Sequence, residues 1–372
     1  MRFRHADGSV VHLAYCSNVH QAEDVDGVVA QLARFAGPVR RRLDVARLGV
    51  GLWLSAMAVA DLRADHRSIA RLRDALAAQG LEVVTLNGFP YRGFHDPVVK
   101  YAVYRPDWTE GTRLDHTLDL ARILGELMPD DAVEGTISTL PIAWRMPWDG
   151  DRAARARVAL ERLAEGLAAL DRTVRVGLEP EPGCAVETTE QAASFLAGLP
   201  TESLGICLDA CHHAVQFEDA AALPDVPVVK AQVSSALRSA DPRTDEHLTA
   251  YVEPRFLHQT RERVAGAVRG VDDLDEAIAG GLPGESEWRV HFHVPVHAGG
   301  PATTQDDLRA VLRRLLAGPV PLTRHLEVET YTWTVLPPER RPDGDAGLVD
   351  GLTRELDWTR GQLVGLGLER ID

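Results

Sequence analysis

Short apolar and β-branched runs alternate with longer amphipathic stretches along most of the chain. The runs at 11–17 (VHLAYCS), 47–55 (RLGVGLWLS), 81–87 (LEVVTLN) and 133–140 (VEGTISTL) read as strands. So do 173–180 (TVRVGLEP), 204–210 (LGICLDA), 227–234 (PVVKAQVS) and 324–331 (RHLEVETY). Each is too short for a free-standing helix, and turn residues flank most of them. Helical periodicity occupies 58–79, 112–128, 151–170, 188–198, 303–317 and 345–366. In 151–170, Ala156, Leu160, Leu163, Leu167 and Leu170 recur at the helical period while arginines fill the other face. Thr188 to Glu190 and Thr303 to Asp306 look like helix starts, a hydroxyl ahead of acidic residues.

Eight strands in regular βα alternation predict an α/β fold, a (β/α)8 TIM barrel with its helices outside. The rival is a doubly wound open sheet. No G-x-G-x-x-G follows the first strand, and polar residues cluster after nearly every strand rather than at one switch point, so the barrel is preferred. Roughly 90 residues separate strands seven and eight, and they contain a further strand-like run at 289–296, RVHFHVPV. The expectation is one domain over 1–372, with about 239–300 inserted over the barrel mouth.

Composition narrows the role. Hydrophobic residues make up 45% and charged ones 26%, an ordinary globular balance that allows a large core. A net charge of −15 argues against a nucleic-acid partner, and Arg40, Arg41 and Arg42 read as the close of a surface helix. No long apolar stretch suggests a signal peptide or membrane span, so a cytoplasmic protein without membrane partners is expected. Cys16, Cys184, Cys207 and Cys211 have neither zinc-ribbon nor disulfide spacing and read as reduced thiols. Only two lysines occur, Lys100 and Lys230, and the second lies within a predicted core strand.

At the carboxyl ends of the strands, same-face positions are unusually polar. Strand one ends in Ser17, Asn18 and His20, and strand three in Asn87 followed by Tyr91 and His95. Strand five carries Glu179 and Glu181, and strand six Asp209 with His212 and His213. Strand seven presents Lys230, Gln232 and Ser234, and strand eight Glu327 and Glu329. Taken singly, each carboxylate is more often solvated or arginine-paired, and His20 or His95 more often structural. Together, carboxylates on strands five, six and eight would crowd like charge into one mouth, which costs several kcal/mol unless a cation, protonation or arginines offset it. A divalent cation is the economical answer; oxygen donors with one histidine or amide suit Mn²⁺ or Mg²⁺, and Zn²⁺ stays open.

These residues carry a resemblance. The runs YCSNVH at 15–20, LNGFPYRGFH at 86–95, LEPEPG at 178–183, LDACHH at 208–213, QVSSAL at 232–237, HFHVP at 291–295 and LEVETYTW at 326–333 resemble the xylose isomerase-like barrels, which include sugar isomerases and 3-epimerases. Within that superfamily the chain is most similar to the EboE group of "metabolite traffic" proteins, found beside cyclitol-type biosynthetic genes in secondary metabolism. The resemblance implies metal ligands at Glu179, Asp209 and Glu329, with His212 and Arg238 holding substrate. The ketose 3-epimerases have a histidine where this chain has Gln232, and Lys230 stands two residues before it. His291 or His293 from the inserted run would supply an imidazole in its place.

The resemblance implies an isomerase or epimerase acting on a sugar, sugar phosphate or cyclitol ketone through an enediolate. Glu179 and Glu329 would be the acid/base pair and Glu181 a spare candidate. Asn87, His95, His258, Arg261 and His291 join the expected substrate contacts, and a homo-oligomer is left open. Two other readings stand beside it. Lys230, if burial lowered its pKa, could form a Schiff base in a lyase, although neutralising the carboxylates is its plainer role. A binding or carrier protein for a cyclitol-type metabolite, without turnover, is the other.

Overall fold

A computed structural model describes residues 1–300 and 302–371. Eight parallel strands close on themselves: Val10–Cys16, Leu48–Trp53, Leu81–Glu82 with Thr85–Asn87, Gly135–Thr139, Val174–Leu178, Leu204–Asp209, Val228–Val233 and His325–Val328. The first strand pairs with both the second and the eighth, in register Ala14 to Gly49 and Glu327 to Ala14, which closes the barrel. All eight segments correspond to the runs expected from the sequence. The third is interrupted at Val83 and Val84, both buried.

Helices cover the outside. Ala56–Ala64 and His66–Gln79 replace the single helix expected over 58–79, because Asp65 adopts an extended backbone and its side chain accepts the Arg67 amide, starting a second helix. Gly150–Ala168 buries Ala156, Leu160, Leu163 and Leu167, the stripe expected from the periodicity. Thr188 caps Thr189–Leu196 in a reciprocal capping box with Gln191. The helix after 303 starts at Gln305, and the hydroxyl oxygen of its cap residue Thr304 instead accepts the Ala236 amide. Arg40, Arg41 and Arg42 do lie in the last turn of a helix, Gly37–Leu43. Among the described residues, no helix is long and apolar enough to cross a membrane.

After strand seven the chain leaves the barrel and builds a four-stranded antiparallel sheet, in the order Ala236–Ser239, Trp288–His293, Thr260–Val264, Ala267–Val271. The run expected as a strand at 289–296 is thus the second strand of a sheet that local patterning alone did not show. This sheet is tied to the βα loops. The Val99 and Lys100 amides donate to the Arg255 carbonyl at 2.7 and 2.9 Å, Lys100 pairs with Asp273 at 2.5 Å, and Arg145 pairs with Asp272.

Candidate active site

The carboxyl ends of strands five, six and eight bring three carboxylates together. Ligand atoms of Glu179, Asp209 and Glu329 all lie within 4.8 Å of one another, and those of Asp209, His212 and His293 form an overlapping group. All five side chains are buried.

Asp209 and His293 are each held by one end and open at the other. Asp209 starts the short helix Ala210–Val215; its Oδ1 accepts the His212 amide and the Ser234 hydroxyl, both at 2.9 Å. Its Oδ2 has no partner among the described residues, nor does Glu179 Oε2. Asn18 and Asn87 both donate to Glu329 Oε1, at 2.7 and 2.8 Å. His293 donates from Nδ1 to the Glu329 carbonyl at 2.8 Å, which leaves Nε2 as a lone-pair donor 4.0 Å from Asp209 Oδ2 and otherwise unpartnered among the described residues. Gln232 is buried beside them with neither amide atom bonded among the described residues.

This geometry fits a divalent cation. An imidazole whose Nδ1–H is fixed by a carbonyl has the tautomer and orientation that a metal requires. Buried polar atoms without partners cost free energy unless something satisfies them, and here they belong to two carboxylates, Glu179 and Asp209, and one imidazole, His293, beside the Glu329 carboxylate. Burial, then the charges of Glu329 and Asp209, push the Glu179 carboxyl well above its usual range; burial, then Asp209 and Glu327, do the same to Glu329.

A second layer lines the cavity above this centre. Glu181 Oε1 accepts the Tyr104 hydroxyl at 2.7 Å and the Gln259 amide at 3.4 Å, and burial still raises its carboxyl to about 8. Gln259 Oε1 meets His291 Nδ1 at 2.7 Å, and His291 Nε2 faces His212 Nε2 at 2.9 Å. Burial drives His212 down to about 4 and His291 well below the ordinary histidine value. Phe94, Phe256 and Tyr331 form an aromatic wall, with ring centroids 4.9–5.3 Å apart. Tyr104, Gln259 and the wall were not anticipated: they lie in the connections after the strands, where no periodicity fixes the course, and Tyr331, the last residue of the run read as strand eight, instead opens the short 3-10 turn Tyr331–Thr334.

Of the residues singled out from sequence, Asn87, Glu179, Glu181, His212, His291, His293 and Glu329 line one cavity. Others stand elsewhere. Lys230 is fully buried inside the barrel, where it pairs with Glu327. Burial pulls its ammonium down, but Glu327, with Cys207 and Cys16, more than offsets this, so its pKa is raised, the opposite of what a nucleophilic amine needs. Arg238 does not reach the cavity, because the chain turns into the second sheet and Arg238 pairs with Glu287 at 2.7 Å. His95 packs behind the wall against Trp53 and Phe94. His258 lies behind His291, bonded to its carbonyl at 2.9 Å and to Glu253. Arg261 is spent on the Val271 carbonyl at 2.9 Å and on Glu187.

Residues 48–261 match the xylose isomerase-like TIM barrel family, and the chain belongs to it. A search of curated proteins finds no match. The chain is similar to a xylose isomerase-like TIM barrel protein from Mycobacterium smegmatis solved in complex with magnesium, at 13% identity and a TM-score of 0.52, covering 95% of this chain and 98% of that one. It is also similar to a xylose isomerase domain protein from Planctomyces limnophilus, at 12% identity and a TM-score of 0.52, with 96% and 97% covered. A candidate sugar phosphate isomerase/epimerase from Anabaena variabilis gives 14% identity and a TM-score of 0.52, with 96% and 100% covered. Identities this low speak for the fold; the narrower likeness to the EboE group rests on the sequence runs alone.

Proposed function

We propose that the chain is a metal-dependent isomerase or epimerase that moves a proton at the carbon beside a carbonyl of a sugar or cyclitol ketone. The observation that carries this is that Glu179, Asp209 and Glu329 bring ligand oxygens within 4.8 Å of one another, with Glu179 Oε2 and Asp209 Oδ2 buried and without a partner among the described residues and the unpartnered His293 Nε2 4.0 Å from Asp209 Oδ2. Glu179, Asp209, His293 and Glu329 would hold the cation, Mn²⁺, Mg²⁺ or Zn²⁺, with the Gln232 amide beside them. Such a cation would offset the clustered charge and polarise the carbonyl and hydroxyl oxygens of a substrate.

The chain's own groups supply the rest. Glu179 and Glu329 stand on strands separated by two others, so one can remove a proton from one face of the substrate and the other return a proton to the opposite face. Burial and neighbouring negative charge raise both carboxyls, which favours the form of each that holds the proton. Neutral His212 and His291, with Glu181 and Tyr104, offer hydrogen bonds to hydroxyl groups. The wall of Phe94, Phe256 and Tyr331 restricts water and suits the apolar face of a ring. The one lysine or arginine lining the cavity, among the described residues, is Lys100, and Asp273 neutralises it, so a neutral substrate is favoured over a phosphate ester. Residues 239–300 complete the site as a cover within one domain, because they contribute Phe256, Leu257, His291 and His293.

Incubation with a panel of ketoses and cyclitol ketones in D₂O and Mn²⁺ tests the proposal. Deuterium should enter next to the carbonyl with wild-type protein and fail to enter with Glu179→Gln or Glu329→Gln. Tight binding of a panel member without exchange would instead identify a carrier.

A further inference from the structure

Directly behind the aromatic wall lies a second cavity, of about 530 Å³, between the loops after strands one and eight. Its lining alternates with that of the first. His95 follows Phe94, Arg255 precedes Phe256, and Trp333 stands two residues beyond Tyr331. The two cavities therefore share loops and turn opposite sides of them to different contents.

The chemistry of this second cavity is basic, although the chain carries a net charge of −15. Arg34, Arg255 and Arg341 line it, against a single carboxylate, Asp345. Asp345 is taken by Arg34 in a two-pronged pair at 2.6 and 2.7 Å. Arg255 and Arg341 form no ion pair among the described residues: Arg255 donates to the Thr334 hydroxyl at 3.2 Å, and Arg341 to the Leu336 carbonyl at 2.5 Å. Arg255 Nε has no partner among the described residues.

Two further features point into the same space. The last helix, Gly344–Gly365, begins there, and its cap residue Asp343 makes no side-chain cap hydrogen bond, so no cap side chain takes the first-turn N–H groups, while Asp345 of that turn is held by Arg34. His20, only 4% exposed, lines the cavity with Nδ1 unpartnered among the described residues, while its Nε2 meets the Tyr15 hydroxyl at 3.1 Å. In the tautomer in which Tyr15 donates to Nε2, the ring proton is on Nδ1, where it has no acceptor among the described residues. Burial drives His20 down to about 3 and His95 to about 4, so both rings are neutral and act as hydrogen-bond donors rather than cations.

We infer that this cleft binds a phosphate-type anion, held by Arg255, Arg341, the His20 ring and the amino end of the last helix. Two unpaired guanidinium groups, a buried donor and a helix N-terminus form the set that recognises a tetrahedral oxyanion. The inference does not depend on the reaction proposed for the first cavity. Its consequence for that cavity is mechanical, since an anion bridging Arg255 and Arg341 would brace the loops that carry Phe256 and Tyr331.

Calorimetric titration of the whole chain at low salt, with inorganic phosphate and separately with glucose 6-phosphate, tests it. Saturable one-to-one binding is expected, weakened by at least about tenfold in Arg255→Gln/Arg341→Gln and unchanged in Glu179→Gln. Equal affinity for the two probes identifies free phosphate as the ligand, and tighter binding of the ester identifies a phosphorylated metabolite. The inference is overturned if neither probe saturates, if a folded double variant binds like wild type, or if Glu179→Gln abolishes binding and so places the anion in the first cavity. Arg341→Gln alone, at an exposed position, gives the same reading should the double variant not fold.

Discussion

Lys230 and Glu327 lie against each other inside the barrel, on neighbouring strands, with both side chains at zero exposure. The Lys230 ammonium also reaches the Leu86 carbonyl at 3.4 Å, and a Cβ on Gly51 would overlap the Glu327 carboxylate. The barrel interior is thus built around an ion pair, with a glycine making room for it. Breaking a buried pair from one side leaves an unpaired charge and costs about 3–5 kcal/mol. Lys230→Ala should therefore lose stability on that scale in denaturant melts. Gly51→Ala should lose about 1–3 kcal/mol, as overpacked cores do. Borohydride in the presence of ketose should trap nothing on Lys230; a reduced adduct there would refute the structural role.

The proposed cation centre predicts a graded response. Replacing Asp209 by Asn or His293 by Ala should weaken Mn²⁺ binding by at least the 10- to 100-fold, roughly, that even supporting residues of metal sites cost. Gln232→His should tighten it, since imidazole is a stronger donor than an amide oxygen. Added Mn²⁺ should raise the melting temperature of the wild type, because it binds the folded state. Calorimetry on chelator-stripped protein measures the first two effects; a flat response across all three variants would mean that the ions bind elsewhere.

Glu355, from the last helix, is fully buried and accepts the Thr330 hydroxyl at 2.6 Å, the Val296 amide at 3.0 Å and the Trp333 indole at 3.3 Å. It ties the end of strand eight to the segment that follows His293. Glu355→Ala would orphan three donors, each costing about 1–3 kcal/mol, and should cut turnover by loosening Glu329 and His293. Burial raises the Glu355 carboxyl to about 7, with its three donors pulling the other way. For a carboxyl whose folded value is raised, the stabilisation is complete below the unfolded value and is lost as pH rises through the folded one. Stability of the wild type should therefore decline between about pH 4.5 and 7, and Glu355→Gln should remove that part of the slope. Melting curves across this range decide it.

The barrel was legible because its eight strands are short apolar runs whose period and flanking turns are local properties. Glu179, Asp209 and Glu329 were legible for a related reason: strand ends in a barrel all point to one mouth, so a carboxylate there has few other places to be. What local pattern could not give was partnership across the fold. The sequence allowed Lys230 a neutralising or a nucleophilic role without naming its partner, Glu327, and Arg238 looked like a substrate contact until the chain turned away after Ser235. His95 stood next to Phe94 in sequence yet faces a different cavity. The break at Asp65 needed a backbone conformation rather than a residue type, since Asp is tolerated within helices as well as at their starts.

His293 is the imidazole of the proposed cation centre, and it comes from an excursion outside the eight-strand framework. Shortening that excursion would leave every barrel strand in place, with the three carboxylates still facing one another and the imidazole gone. A truncated relative of this chain would then be a sound scaffold with a weakened grip on its ion. Chemical competence and the length of the chain between strands seven and eight are, in this architecture, inherited together.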